Sequence, residues 1–517
     1  MTATVRVTGG AVSGAEEPGL TVFRGISYAA PPVGAHRFAA PRPVDPWDGV
    51  RPATTFGPSA PQSDALGGGA AVPGDDWLTA NVWTPALDPA ARLPVLVWIH
   101  GGAYVVGMSS RPEFDGAHLA RAGRIVVVTV NYRLGVEGFA HLTGATTHPA
   151  PVNRGLLDLV AALRWVRDNV AAFGGDPGRV TIAGESAGAG CVAALLAMPA
   201  AAGLFRAAIA QSVPGPFFTP ALAADITAAV AARVGCVPTV ADLSDVDPAR
   251  LAAAGDAVTA APADRWGPAA ARQILFAPVV DGDTLPATPW QALAGGAGRD
   301  VALLAGHTRD EQRLFTAMAG LLGQITAEQA TAALDRFAPA PDGAGRYRAA
   351  FPEAGPDRLY ELVHSDWLFR MPSVRLADAQ VTGGGRTHLY ELTWPAPGLG
   401  GVLGACHGLD VPLVFGNLTG TQPALLLAGE TGEARETGEA REAREAGGPG
   451  PDAVALSARM TAAWIAFVRD GDPGWPAYTA AGQLTQVFDT PGTVTTYPEQ
   501  AARQIWQSHP FAPLTLT

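Results

Sequence analysis

Residues 179–198 constrain this chain more than any other stretch. A β-branched segment over 179–184 (Arg-Val-Thr-Ile-Ala-Gly) runs directly into Gly184-Glu185-Ser186-Ala187-Gly188. The apolar residues 187–198 that follow read as a helix stopped by Pro199. A strand joined to a helix through a glycine-flanked serine, with no spacer, requires a tight and strained turn. Such a turn lifts the serine hydroxyl above the end of a sheet. It also aims the first amide groups of the helix at the same point, where they would stabilise a developing oxyanion. The pentapeptide alone is unspecific; the strand before it and the helix after it give it weight over an ordinary glycine-rich turn.

The same alternation extends on both sides. Residues 94–100 and 125–131 read as buried strands, short, β-branched and without polar alternation. Residues 153–173 read as a helix, with Leu156, Leu159, Val160, Leu163, Val166 and Val170 at three- and four-residue spacing. Residues 216–270 are Ala-rich and read as helical, and 301–306 and 387–394 read as further strands. Strand and helix in turn predict an α/β fold, a mostly parallel sheet covered on both faces.

Composition removes several mechanisms. All 35 Lys-plus-Arg residues of the 517 are arginine, so a Schiff base, a pyridoxal-phosphate anchor, a P-loop clamp and a Ser-Lys dyad are excluded. The net charge of −12 argues against a nucleic-acid partner. Cys191, Cys236 and Cys406 are too few and too scattered for a disulfide framework or a structural zinc site. No basic-then-apolar leader opens the sequence and no apolar run approaches the ~20 residues of a membrane span, so the expected location is cytoplasmic, without a membrane partner. Residues 430–446 carry ETGEAR twice in tandem and no large apolar side chain; they read as a solvated low-complexity insertion.

A nucleophilic serine needs a base, and the base an orienting acid. His100-Gly101-Gly102-Ala103-Tyr104 follows the first strand, and small residues there let backbone N–H groups face a cavity. Of ten histidines, His407 has the most suitable context, in Gly404-Ala405-Cys406-His407-Gly408-Leu409-Asp410 downstream of the serine. Glu311 and Asp310 compete for the acid, just past strand 301–306. The order Ser186, Glu311, His407 suits an α/β-hydrolase.

These motifs resemble the type-B carboxylesterases, the family of bacterial para-nitrobenzyl esterases and, more distantly, cholinesterases. The resemblance runs through Phe23-Arg24-Gly25-Ile26-Ser27-Tyr28-Ala29, Leu78-Thr79-Ala80-Asn81-Val82-Trp83 and Asn131-Tyr132-Arg133. It continues through Asn153-Arg154-Gly155, Phe173-Gly174-Gly175-Asp176-Pro177, Pro278-Val279-Val280-Asp281-Gly282 and Ala463-Trp464-Ile465-Ala466-Phe467. It implies one α/β-hydrolase catalytic domain over 1–517, with a large, mostly parallel sheet, helices on both faces and helical insertions walling the site. It implies Ser186 as nucleophile, Glu311 rather than Asp310 as acid and His407 as base. The backbone amides of Gly102, Ala103 and Ala187 become the oxyanion hole, and Glu185 a site-shaping carboxylate.

The expected activity is hydrolysis of a small-molecule carboxylic ester through an acyl-enzyme, with no cofactor and no metal. Transfer of the same acyl group to another acceptor, or lactone chemistry, stays open; a non-catalytic scaffold fits poorly, because all three triad positions are filled. Four departures stand out. Ala103 replaces a common third glycine. Ala60 and Trp77 occupy positions where relatives carry a disulfide. The loop over 64–74 lacks the aromatic residue by which cholinesterases hold choline, so choline esters are poor candidates. Asp410 stands where glutamate is usual. Phe217, Phe218, Phe315, Trp367, Leu368 and Phe369 are expected either to line the pocket or to pack in the core.

Overall fold

The computed structural model describes residues 2–63, 71–143, 150–428 and 448–517. The insertion read over 430–446 and most of the loop over 64–74 lie outside the described residues.

The strands pair into one sheet. In chain order they are β1 Thr2–Val7, β2 Gly10–Glu17, β3 Leu20–Ser27, β4 Val50–Pro52, β5 Thr79–Thr84, β6 Leu93–Ile99 and β7 Val126–Val130, then β8 Gly175–Glu185, β9 Ala207–Gln211, β10 Ala302–Thr308, β11 Thr387–Leu392, β12 Leu484–Phe488 and β13 Thr493–Thr496. One sheet carries them in the order β1-β2-β3-β5-β7-β6-β8-β9-β10-β11-β12-β13, and β4 pairs with β2. From β7 through β12 every neighbouring pair is parallel. The first strands and the last one add antiparallel edges.

Burial on both faces explains the absence of alternation in the central strands. In β6, Val95, Val97 and Ile99 join the core on one side of the sheet, with Leu156, Leu163 and Val192. Leu96 and Trp98 join the core on the other, with Tyr390, Phe415 and Trp464. A strand whose two faces both meet apolar layers has no position for a polar residue.

The structure has a helix over Arg154–Asn169, extended by a 3-10 turn over Val170–Phe173, where the periodicity predicts one helix over 153–173. Its Asp158 anchors the loop after β7. Asp158 accepts from the backbone N–H of Arg133 at 3.0 Å, from its Nε at 2.8 Å and from its Nη2 at 2.7 Å, with both side chains fully buried. The Ala-rich middle holds the helices Pro220–Arg233, Val240–Ser244 and Pro248–Ala260, then a 3-10 turn over Asp264–Trp266 and the start of a short helix over Pro268–Ala271.

Two register pairs fix the place of the site. Ile99 lies opposite Val130 on one side and opposite Gly184 on the other. Strands β6 and β8 therefore end level, and their following turns share one edge of the sheet.

Candidate active site

At that edge Ser186 separates β8 from the helix Ala187–Ala197. Its φ of 55° and ψ of −126° lie outside the favoured regions for a side-chain-bearing residue, so the turn is strained. Two glycines make the turn sterically feasible. A Cβ on Gly188 would lie 2.1 Å from the Ile99 carbonyl oxygen, and one on Gly184 2.6 Å from the Gly188 backbone. The helix it starts is buried along its whole length. Its first amides have no intrahelical acceptor.

The glycine turn after β6 packs alongside. A Cβ on Gly101 would approach the Ser186 Cβ to 3.2 Å, and Gly102 has φ +114° with the Val106 carbonyl oxygen 2.0 Å from where its Cβ would be. Ala103 and Tyr104 also have positive φ, 52° and 63°. Ala103 is exposed, so its methyl faces open space next to the turn. Tyr132 holds the turn from below: its hydroxyl donates to the His100 carbonyl at 2.9 Å, and its ring stacks on His100 at 4.6 Å. His100 is buried, which pushes its pKa down to about 4 and keeps it neutral.

Glu311 and His407 meet although 96 residues separate them. Glu311 begins the helix Glu311–Met318 after β10 and is fully buried. Its Oε2 accepts from His407 Nδ1 at 2.5 Å. Its Oε1 accepts from Ser212 Oγ at 2.6 Å and from the Thr308 N–H at 2.9 Å. Burial would raise its pKa, but His407 and the Ser212 hydroxyl hold it below the ordinary value. Asp310 points elsewhere. It pairs with Arg309 at 3.1 Å and Arg358 at 3.3 Å, and accepts from the Ala405 N–H at 3.1 Å, pinning the loop that carries His407.

The other imidazole nitrogen faces the elbow. His407 Nε2 lies 3.1 Å from Glu185 Oε1, an ion-pair contact. Ser186 Oγ makes no hydrogen bond among the described residues. Glu185 and Asp410 belong to one buried carboxylate group around His407. Asp410 Oδ2 accepts from Tyr390 at 2.6 Å and from Gln211 Nε2 at 2.9 Å, while Gln211 Oε1 accepts from Trp464 Nε1 at 3.0 Å. Burial, Asp410 and Glu311 push Glu185 up to about 8. Burial opposes the charge on His407, but Glu185 and Glu311 outweigh it and raise the imidazole to about 9. The groups therefore share protons and titrate as a unit.

Aromatic rings close over the imidazole. Phe369, in a π-helical turn over Asp366–Arg370, stacks on His407 at 4.2 Å and 24°. Phe315 lies 5.2 Å from the imidazole and is half-buried. Of the other candidate lining residues, Phe217 packs edge-on against Trp290 and Trp367 against Phe337, as core. Ala60 and Trp77 are buried side chains, and Cys191, Cys236 and Cys406 are all unpaired.

Sequence reasoning missed Ser212, Gln211 and Tyr390. A signal existed for the first two: they end and follow β9, the strand beside β8, where site residues of a parallel sheet gather. Among the described residues no group of three or more His, Cys, Asp or Glu side chains is arranged to hold a metal ion. No helix among them is long and apolar enough to cross a membrane.

Comparison with known proteins places these features in context. The sequence profile of the carboxylesterase family matches residues 1–506. The chain is 38% identical to a para-nitrobenzyl esterase of Bacillus subtilis over 506 residues, covering 96% of each chain. It is 37% identical to a phenmedipham hydrolase of Pseudarthrobacter oxydans over 500 residues, covering 92% of each. The crystal structure of a Geobacillus stearothermophilus carboxylesterase superposes with a TM-score of 0.82 at 35% identity, covering 98% of this chain and 100% of that one.

Proposed function

The chain belongs to the carboxylesterase family and is a carboxylic ester hydrolase, and from that premise we propose that it works through an acyl-enzyme on Ser186 with Glu311 and His407. In this reading His407 Nε2 takes the Ser186 proton as the hydroxyl attacks the ester carbonyl. The tetrahedral oxyanion is held by the backbone N–H groups of Gly102, Ala103 and Ala187. His407 then protonates the leaving alcohol, and water attacks the acyl-enzyme by the same route. Glu311 holds the Nδ1–H tautomer and stabilises the imidazolium. Glu185 acts beside them by setting the charge around Nε2. The chemistry calls on no cofactor.

The observation that carries the reading is the 2.5 Å bond from His407 Nδ1 to a fully buried Glu311, one side of an imidazole whose other side faces the strained elbow. A carboxylate with both oxygens already occupied has no role there other than to orient and charge-balance the ring. The unpaired cysteines suit a reducing cytoplasm. The direct test is Ser186→Ala assayed on a para-nitrophenyl ester. The expected loss in kcat is several orders of magnitude with unchanged folding; a variant with near-native turnover would sink the scheme.

A further inference from the structure

Arg272 stands beyond Phe315 on the wall around His407. Its guanidinium carbon lies 5.8 Å from the centre of the Phe315 ring, and that ring lies 5.2 Å from the imidazole. A single aromatic ring thus separates this cation from the base. The arginine follows the short helix Pro268–Ala271 and precedes the buried run Leu275-Phe276-Ala277, so its backbone is fixed.

The guanidinium is unlike its neighbours. Arg309 and Arg358 pair with Asp310, and Arg313 approaches Glu361 at 3.9 Å. Arg272 Nε is buried and has no hydrogen-bond partner, and no carboxylate of the described residues pairs with the group. Its electrostatic neighbours are Tyr360 and His364, neither of them a carboxylate. Burial pushes its pKa down to about 10, so it remains a cation at neutral pH. A half-buried cation without a counter-ion is costly unless a partner arrives from outside. The net charge of −12 repels anions at long range, so any gain for an anionic ligand has to come from a local contact. A planar fork of N–H donors matches a carboxylate best.

We propose that Arg272 is a specificity-determining residue that receives an anionic substituent, a carboxylate, on the ester cleaved at Ser186; the inference rests on the reading of Ser186 as nucleophile. Two substrate pairs test it. Para-nitrophenyl hydrogen glutarate against para-nitrophenyl valerate places the charge on the acyl side. Para-butyryloxybenzoate against its amide places it on the alcohol side. In the pair that Arg272 reads, the anionic-to-neutral ratio of kcat/KM falls about tenfold or more in Arg272→Gln and is largely kept in Arg272→Lys. Ratios unchanged by Arg272→Gln in both pairs overturn the proposal. If the glutamine variant fails to fold, inhibition of the wild-type enzyme by free glutarate and by glutaramide replaces it: selective competitive inhibition by glutarate supports the site, and equal inhibition refutes it. Failure of the wild-type enzyme to cleave any of the four esters counts against the Ser186 reading instead. Cleavage without charge discrimination counts against Arg272 alone.

Discussion

Replacing Glu311 by glutamine changes one atom and reverses one hydrogen bond. In the native site Oε1 accepts from two donors, Ser212 Oγ and the Thr308 N–H, and Oε2 accepts from His407 Nδ1. The backbone N–H of Thr308 cannot become an acceptor. The amide oxygen of glutamine therefore stays at the Oε1 position, and the NH2 group turns towards His407. Nδ1 must then accept, which places the ring proton on Nε2, the nitrogen that has to receive the Ser186 proton. The site keeps its shape but holds the wrong tautomer, for which triad enzymes lose about 10⁴ in kcat. The assay is steady-state hydrolysis of para-nitrophenyl butyrate, with thermal melting to confirm folding. Asp310→Asn is the control, because Asp310 pins the His407 loop through Ala405 and two arginines. It should lower stability and change kcat far less. A Glu311→Gln enzyme within tenfold of native, beside an Asp310→Asn enzyme reduced a thousandfold, would show that the acid has been assigned to the wrong neighbour.

Three further outcomes follow from the buried charges. His407 is raised to about 9 by Glu185 and Glu311, and only its neutral form accepts the serine proton, so kcat/KM should climb as pH rises through this value. Glu185→Gln removes one of the three carboxylates that raise His407 and should move that limb to lower pH by about a unit or more; a limb that stays in place would separate Glu185 from the imidazole. Asp158→Asn strips the buried Arg133 of its carboxylate, with neither side chain exposed, and should cost about 3–5 kcal/mol. Urea unfolding with an unchanged slope but a lower midpoint measures it; an unchanged midpoint would mean that the pair is dispensable.

The parts of the fold legible in the sequence were those whose signal is local. Residues 94–100, 125–131 and 179–184 are apolar without alternation because both faces of their strands are buried, and they fall on β6, β7 and β8. The antiparallel edge escaped for the opposite reason. The buried positions of β2 are Gly10, Val12 and Gly14, so two of its three inward residues carry no hydrophobic signal. The candidate site divides in the same way. The strained elbow and the glycine turn are written in adjacent residues. The links of Glu311 to Ser212, across 99 residues, and of Asp410 to Gln211, across 199, depend on strand order in the sheet, which no local pattern encodes. Neither does any local pattern place Phe369 on His407, since the contact needs a π-helical turn to aim the ring.

The central claim is that Ser186 becomes acylated. Its most direct measurement is covalent capture: the enzyme is treated with a fluorophosphonate and the modified peptide is located by mass spectrometry. The account predicts one adduct per chain, on Ser186, blocked by prior incubation with an ester substrate and absent from Ser186→Ala. Labelling of another residue, or full turnover by an enzyme that the reagent leaves unmodified, would contradict it.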